Sequence, residues 1–295
     1  MAHTPVLLNE VIEFLDPRPG KFIIDGTVDG GGHAAAIISK IMPDGLFLGL
    51  DWDENLLKEC RARLGDQKGV MLEHGNYAEL ANILAEKKLP KADGLLVDLG
   101  FSSEQLASSG RGFSFEEASA DEPLLMTYDD SREPVSQIIR ELGEAELADI
   151  IFQLGGERAS RRIAKAIKLE GRKHPIMTSG KLAEVVRSVL PENYERGRID
   201  PATRTFQAFR IYANGELENL KTILAALPEI LAPGGRAVFI TFHSLEDGIV
   251  KRAFQAAAKE SKITILTKKP VGPALAEMKA NPRSRSAKVR AAQII

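Results

Sequence analysis

A glycine cluster between an apolar run and a helical run is the part of this sequence best suited to chemistry. Residues 22–25 read Phe-Ile-Ile-Asp, residues 26–33 read Gly-Thr-Val-Asp-Gly-Gly-Gly-His, and a run of helical character begins at Ala34. Glycine lets backbone N–H groups approach a ligand closely, and a helix N-terminus favours polar or negative atoms. The pattern predicts a cradle for a nucleoside cofactor.

The identity of that cofactor stays open at this point. A second apolar run, residues 45–51, ends in Asp51, an acid placed to accept hydrogen bonds from a ribose diol. The dinucleotide fingerprint G-x-G-x-x-G puts its first glycine at the strand end, where this chain has Asp25. S-adenosylmethionine and an adenine dinucleotide both remain compatible with these residues.

Further polar groups follow later strand-like runs. Asp98 ends the run at residues 94–98 and precedes a polar loop that contains Ser102, and His243 follows the run at residues 235–242. Carboxyl ends of parallel strands meet at one edge of a sheet, so Asp98, Ser102 and His243 are candidate catalytic groups. The alternatives are a loop cap for Asp98 and a hydrogen-bonded strand-end residue for His243.

Composition bounds the class of protein. Of 295 residues, 44% are hydrophobic and 27% charged, which is ordinary for a globular chain. No apolar run reaches membrane-spanning length and the first residues lack a signal-peptide pattern, so a cytoplasmic protein without a membrane partner is expected. With one cysteine and no Cys/His cluster of zinc spacing, neither an internal disulfide nor a metal site is expected.

Basic residues concentrate in two places. Residues 251–295 hold eleven Lys or Arg against two Glu, although the whole chain has a formal net charge of −2. Spacings of three and four also place Arg158, Arg161 and Lys165, together with Lys168, on one helix face. Both patterns predict a polyanion such as RNA as partner, with a solvated surface as the alternative. The predicted RNA-binding residues are Arg158, Arg161, Lys165, Arg204, Arg210, Arg283 and Arg285.

Strand and helix patterns alternate through the first hundred residues, which predicts an α/β fold with a parallel sheet and helices on both faces. Helical patterns alone follow, and strand pattern returns only at 235–242 and at a last strand, 263–266. We therefore expect a catalytic domain at 1–103 and 206–295, interrupted by a helical substrate-recognition domain at 104–205. The predicted strands are 22–25, 45–51, 70–73, 94–98, 235–242 and 263–266, and the predicted helices include 34–41, 54–64, 77–87, 134–142, 144–154, 159–168, 179–189 and 206–231.

Several blocks together resemble one known family, in order and over nearly the whole chain. They include Asp25-Gly26-Thr27 with Gly31-Gly32-His33, His74-Gly75-Asn76-Tyr77, Leu99 to Ser103 with Gln105-Leu106, Arg111 to Phe115, Pro201 to Gln207, Phe242 to Asp247 and Asn281 to Ser286. The family is the bacterial 16S ribosomal RNA cytosine-N4 methyltransferases, known as RsmH or MraW.

The resemblance implies a Rossmann-like class I S-adenosylmethionine methyltransferase sheet of seven strands with the helical insert. It implies that the substrate is a cytosine in the P-site region of the decoding centre, methylated on N4 within the assembled small ribosomal subunit. The proton acceptor is expected from the Asp98 to Ser103 edge or from His243. The residues implied to line the cofactor are Gly31, Gly32, His33, Asp51, Tyr77, Asp98 and Gln105.

Several residues depart from the family's pattern. Leu125 and Thr127 stand where an acid and an arginine are usual, Asp29 where glycine is usual, Glu104 where proline is usual and Asp200 where histidine is usual. The departures at Leu125 and Thr127 leave as an alternative a catalytically weak ribosome-assembly or RNA-binding protein with a retained pocket. A nicotinamide-dependent oxidoreductase, which would share the sheet and an acid such as Asp51, is the other alternative. Cys60 lies mid-helix, away from the predicted site, which argues against a covalent cysteine mechanism. A monomer and a homodimer are both compatible with the sequence.

Overall fold

The computed structural model describes residues 5–100, 110–191, 193–197 and 199–295. The chain forms two compact units, one made of Met1–Gly100 with Leu217–Ile295 and the other of Phe101–Glu216. The predicted end of the insert, between residues 205 and 206, differs from this division, in which the chain returns to the first unit at Leu217. Phe206 and Phe209 belong to the hydrophobic core of the second unit, so the helix that carries them groups with the insert.

The first unit is built on a seven-stranded sheet in the order β3-β2-β1-β4-β5-β7-β6. The strands β1 to β5 pair in parallel, and β7 is antiparallel to both β5 and β6. This arrangement confirms the predicted α/β class with its Rossmann-like sheet. The strands are β1 Phe22–Asp25, β2 Leu46–Asp51, β3 Val70–His74, β4 Ala92–Asp98, β5 Leu231–Thr241, β6 Ile263–Ile265 and β7 Lys288–Ile294.

Helices connect the strands of the first unit and make up most of the second. In the first unit they are α1 Leu8–Leu15, α2 Gly32–Ile41, α3 Glu54–Leu64, α4 Leu80–Glu86, α10 Glu216–Ile230, α11 Ser244–Lys259 and α12 Leu275–Ala280. In the second they are α5 Val135–Glu141, α6 Glu144–Gly155, α7 Ser160–Gly171, α8 Ser179–Ser188 and α9 Thr203–Asn214. None of the helices in these described segments is both long and apolar enough to cross a bilayer.

The sheet is buried on both faces, as a parallel sheet requires. Successive strand residues point to opposite faces, so Ile23 and Leu96 enter one core while Ile24 and Leu95 enter the other. Carboxyl groups cannot share these cores without cost, and the last residues of β1, β2 and β4 are aspartates. Asp25 closes β1, in register with the strand β2 that ends two residues later at Asp51.

The expectation that 263–266 is the last strand is wrong. Strand β7 follows it in the chain and lies between β5 and β6 in the sheet. The sequence does not predict this strand, because Lys288 and Arg290 belong to a segment whose composition indicates a cationic surface. Arg290 is buried all the same, because its guanidinium forms an ion pair with Asp247, 2.6 Å from Nε to Oδ1.

The predicted helix at 206–231 is interrupted. Gly215 has a φ of 61° and ends α9, and α10 begins at Glu216. A left-handed residue at this point is a common helix C-terminus, and glycine adopts it without steric cost. The sequence Ala-Pro-Gly-Gly at 232–235 is typical of a turn, but these residues lie within β5, next to a register shift between Ala92 and Gly94 of β4.

Arg111 organises the segment in which this chain departs from its family's pattern. Its guanidinium donates to the backbone oxygens of Thr127 and Asp129, at 2.5 and 2.8 Å, and its Nη2 lies 2.8 Å from the Thr127 hydroxyl. A further ion pair joins Arg111 to Asp130. Since Thr127 is buried, its side chain serves the interior of the second unit and is not placed at the surface.

Candidate cofactor and active site

Carboxylates from three strand ends gather at one edge of the sheet. Asp25 and Asp51 are both buried, and Asp98 at the end of β4 is half-buried. Burial, together with the negative charges of Asp98 and Asp51, raises the pKa of Asp25 to about 8, against the opposing effect of the backbone hydrogen bond from Thr27. The Asp25 Oδ2 atom has no hydrogen-bond partner among the described residues. This edge therefore holds desolvated carboxyl groups whose ionised forms a nearby cation would stabilise.

Asp51 organises the glycine turn. Its Oδ2 accepts the N–H of Asp29 and its Oδ1 accepts the N–H of Asp53, both at 2.8 Å. Burial raises the pKa of Asp51 to about 7, and the hydrogen bond from Asp53 opposes that shift. Asp29 adopts the left-handed conformation with a φ of 48°, which Asp tolerates better than most non-glycine residues. The departure from glycine at this position is therefore accommodated.

The three consecutive glycines differ in what surrounds them. A Cβ added to Gly31 would meet Cys60 Sγ at 3.1 Å, and one added to Gly32 would meet the Pro5 ring at 3.2 Å. A Cβ on Gly30 would meet no atom of the described residues within 4 Å. Of the three glycines, Gly30 is thus the one with open space beside it in the described part of the chain. The sequence analysis selected Gly31 and Gly32 and did not select Gly30, because the residues of a glycine run look alike.

His33 and Asp98 face each other beside this turn. The His33 Nδ1 atom lies 3.9 Å from Asp98 Oδ2, and Nε2 lies 2.9 Å from the Val6 carbonyl oxygen. A carbonyl oxygen can only accept, so Nε2 carries the proton and Nδ1 is directed at the carboxylate. The backbone N–H of Asp98 donates to the Thr27 hydroxyl at 2.7 Å, and its Oδ1 accepts the Gly100 N–H at 2.9 Å. Both side chains are therefore held in place by hydrogen bonds.

Tyr77 reaches the same edge through the loop after β3. Asn76 caps the short 3₁₀ helix Tyr77–Glu79 by accepting the Ala78 N–H at 2.9 Å. The Cβ of Tyr77 lies 3.0 Å from the position that a Cβ of Gly26 would take. Gly26 is therefore needed for Tyr77 to sit against the end of β1.

His243 caps a helix. It is the N-cap of α11, where its Nδ1 accepts the Glu246 N–H at 3.4 Å and its Nε2 lies 2.9 Å from Glu246 Oε1. The Glu246 Oε2 atom in turn accepts hydrogen bonds from the backbone N–H groups of Phe242 and His243. The Nδ1 atom thus serves the capping box, while the buried Nε2 atom forms no hydrogen bond among the described residues in spite of its closeness to Glu246. The cap favours the structural alternative for His243.

Two predicted site residues lie outside the described part of the chain. They are the candidate catalytic Ser102 and the candidate cofactor residue Gln105. For Arg283, the backbone falls in the 3₁₀ helix Pro282–Ser286, and its side chain is likewise outside the description. Arg285 in the same helix is exposed.

The predicted RNA-binding residues divide into exposed and internally paired groups. Arg158, Arg161 and Lys165 are exposed at or on α7, and none of them has a carboxylate within ion-pair distance among the described residues. Arg204 contacts Glu195 at 2.9 Å, and Arg210 forms a half-buried pair with Glu216.

Lys168 also lies on α7, but it is half-buried and does not belong to the exposed cations of that helix. Its Nζ donates to the carbonyl oxygens of Ile139, Arg140 and Leu142, at 3.2, 2.9 and 2.7 Å. These carbonyls end α5, where a cation is favourable. Lys168 therefore joins two helices, and the interpretation that groups it with the phosphate-binding face does not match its contacts.

Comparison with known proteins identifies the family. The profile of the MraW methylase family matches residues 1–295. The chain belongs to the MraW methylase family. A protein of Syntrophotalea carbinolica named Ribosomal RNA small subunit methyltransferase H is 42% identical over 98% of this chain and 96% of its own length. Proteins of the same name from Koribacter versatilis and Sorangium cellulosum are 44% and 45% identical over 99% of this chain, covering 93% and 90% of their own lengths.

Family membership confirms that the protein is a methyltransferase that uses S-adenosylmethionine. The alternative of a nicotinamide-dependent oxidoreductase is therefore excluded. The residues present fit this cofactor. Its sulfonium and ammonium groups are cationic and favour the ionised form of the buried Asp25 carboxyl group. Its ribose diol suits an acid at the end of β2, and the bare backbone at Gly30 allows close approach.

Gly30→Ala is expected to weaken S-adenosylmethionine binding at least tenfold while folding is unchanged. The added methyl group meets no atom of the described residues, so we expect any loss to reflect a clash with the cofactor. Gly171→Ala is the matched control, because its methyl group also enters open space, far along the chain on α7. Calorimetric titration and urea unfolding measure the two effects. Equal affinities for both variants would place the cofactor elsewhere.

Proposed function

We propose that this protein transfers a methyl group from S-adenosylmethionine to the exocyclic N4 of a cytosine in the decoding centre of 16S ribosomal RNA, within the small ribosomal subunit. The names of its relatives support the RNA substrate, and the resemblance of the sequence blocks supports the cytosine. The strongest structural support is the position of Asp98, beside His33 at the edge where the carboxylates gather. The work of the enzyme would take place in the cytoplasm, where small subunits are assembled.

The chemistry assigns Asp98 a specific task. The lone pair of an exocyclic amine is delocalised into the cytosine ring, so the amine is a poor nucleophile unless an acceptor draws on its N–H. The cofactor supplies the electrophilic methyl group, and the protein supplies the acceptor. Asp98 Oδ2 accepts the N–H, and His33 Nδ1, 3.9 Å away, can take up the proton that is released. The Gly100 N–H holds the carboxylate in place through Oδ1.

Cys60 supports methylation of nitrogen over carbon 5. Attack on the cytosine ring needs a thiolate, but burial raises the pKa of the Cys60 thiol to about 12. The side chain packs in the core beneath the glycine turn, where Gly31 contacts it. No other cysteine exists in the sequence. An exocyclic nitrogen, which needs no covalent enzyme intermediate, is the consistent acceptor.

The exposed cations of α7 form the surface proposed to meet the RNA backbone. Arg162 joins Arg158, Arg161 and Lys165 there, again without a carboxylate in ion-pair range among the described residues. Elsewhere in the same unit, cations such as Arg187 are paired at short range. Uncompensated guanidinium and ammonium groups on one helix suit a row of phosphates. The insert is thus proposed as the substrate-recognition domain.

Two lysines on α7 separate this role from a structural one. Lys165→Met is expected to weaken binding to small subunits about threefold to fivefold and to reduce the salt slope by about one, without loss of stability. Lys168→Met is expected to lower the free energy of unfolding by about 1–2 kcal/mol, because three carbonyl oxygens lose their donor. Filter binding at several salt concentrations and urea unfolding report the two quantities. Identical behaviour of the two variants would contradict both assignments.

Labelled methyl transfer to small subunits that lack the modification tests the proposed function. The digested RNA is analysed by nucleoside mass spectrometry, and N4-methylcytidine in the decoding centre is the expected product. Methyl on carbon 5 or on the ribose would overturn the assignment of Asp98. Binding to subunits with retained cofactor affinity and no transfer would favour the catalytically weak assembly protein.

A further inference from the structure

A cavity of about 500 Å³ lies in the first unit between α11 and the strands β6 and β7. Three cationic side chains line it, Lys251, Lys268 and Arg290, and its lining contains no carboxylate. None of the cofactor residues described above borders it. A cavity of this size accommodates a nucleotide.

Arg290 gives the cavity a fixed donor. The residue is only 6% exposed, and Asp247 holds its Nε and Nη2 at 2.6 and 3.2 Å. The Nη1 atom has no acceptor among the described residues, although the side chain lines the cavity. A guanidinium clamped on one side presents its remaining N–H donors in a fixed direction, the geometry that phosphate recognition uses.

The two lysines add charge that nothing nearby compensates. Neither Lys251 nor Lys268 has a carboxylate within ion-pair distance among the described residues, whereas Lys262, close to them in the chain, pairs with Glu260 at 2.7 Å. Gln255 and Thr264 contribute an amide and a hydroxyl to the same lining. Several cations, neutral donors and no acid are the chemistry of an oxyanion site.

We propose that this cavity binds a phosphodiester group of the RNA strand, as a docking site separate from the cofactor site and from α7. The proposal rests on the proposed function for its choice of RNA as the source of the phosphate. It also gives the cationic segment at 251–295 a specific role, carried by Lys251, Lys268 and Arg290. The other basic residues of that segment are not required by it.

The decisive variant is Lys251→Ala with Lys268→Ala in the full chain. Lys259→Ala with Lys269→Ala is the matched control, because it removes the same charge from α11 and from the position next to Lys268, outside the cavity. We expect the first pair to weaken binding to small subunits roughly tenfold near 0.1 M salt, and to reduce the salt slope by about 1.4–1.8. The control pair is expected to change affinity less than twofold. Equal effects of the two pairs would overturn the proposal.

A second variant guards against a folding defect. Gln255→Glu places a negative charge in the exposed part of the cavity, and we expect weaker RNA binding with unchanged affinity for S-adenosylmethionine. Inorganic phosphate, tested against chloride at equal ionic strength, separates the sources of the anion. Thermal stabilisation by phosphate that the lysine pair abolishes, with RNA affinity unchanged, would mean a small-anion site and overturn the RNA assignment.

Failure of this proposal is distinguishable from failure of the proposed function. If the wild-type protein methylates small-subunit RNA and the cavity variants bind RNA as tightly as the control pair does, only the proposal of a docking site is refuted. If the wild-type protein transfers no methyl group but the cavity variants lose affinity for RNA, the proposed reaction is refuted and the docking site is supported.

Discussion

Asp98→Asn is expected to lower the turnover of methyl transfer about 100- to 1000-fold at saturating cofactor. Asparagine keeps the shape of the side chain and an oxygen that can accept the Gly100 N–H. It removes the negative charge that draws on the substrate N–H, a contribution of about 10²–10⁴ in rate for a positioned acid or base. Single-turnover measurement on small subunits isolates this step from product release.

His243→Ala is the informative comparison. Because its Nδ1 atom caps α11, we expect near-normal turnover and a loss of about 1–2 kcal/mol in the free energy of unfolding. A large loss of turnover in His243→Ala, with Asp98→Asn unaffected, would reverse the two roles. If both variants retained near-normal turnover with cofactor binding intact, the acceptor would be neither residue.

The second large effect concerns Asp25 and the pH dependence of stability. Its folded pKa of about 8 lies above the usual 3.8, so the folded protein retains a proton that the unfolded chain releases. Its contribution to stability is therefore complete below about pH 4 and is lost as pH rises toward 8. Asp25→Asn mimics the protonated form and should become progressively more stable than the wild type, by roughly 3 kcal/mol between pH 5 and pH 8.

Urea unfolding of the cofactor-free protein across this pH range checks the expectation. Asp66→Asn, which removes an exposed carboxylate, is the matched control and should leave the pH profile of the wild type in place. A stability difference between Asp25→Asn and wild type that stays constant with pH would show that Asp25 is ionised throughout.

Cofactor binding should have the opposite pH dependence. A cationic sulfonium favours the ionised forms of Asp25 and Asp51, whose pKa values of about 8 and about 7 bracket neutrality. We expect affinity for S-adenosylmethionine to increase about tenfold or more from pH 6 to pH 8, and less in Asp25→Asn. S-adenosylhomocysteine lacks the sulfonium charge and should show a weaker increase. Calorimetry with both ligands tests this, and identical pH profiles would exclude electrostatic recognition of the sulfonium.

Local patterns in the sequence determined much of this protein. Alternation of strand and helix predicted the α/β class, and the six predicted strands are all present. Sequence blocks around Asp25, Gly31 and His33 identified the family and its cofactor, both of which the comparisons confirm. These features succeed because turns, strand ends and helix starts depend on neighbouring residues. The order of blocks along the chain then reflects common ancestry.

What a side chain does was decided only in three dimensions. Lys165 and Lys168 look equivalent on a helix, yet one is exposed and the other meets the carbonyls that end α5. His243 looks like an acid or base, and its partner Glu246 makes it a cap. Strand β7 was not predicted because an arginine such as Arg290 is typical of a surface segment. Only the tertiary structure pairs Arg290 with Asp247 and allows it to be buried. Pairing and desolvation act between residues distant in sequence, so composition and spacing alone do not determine them.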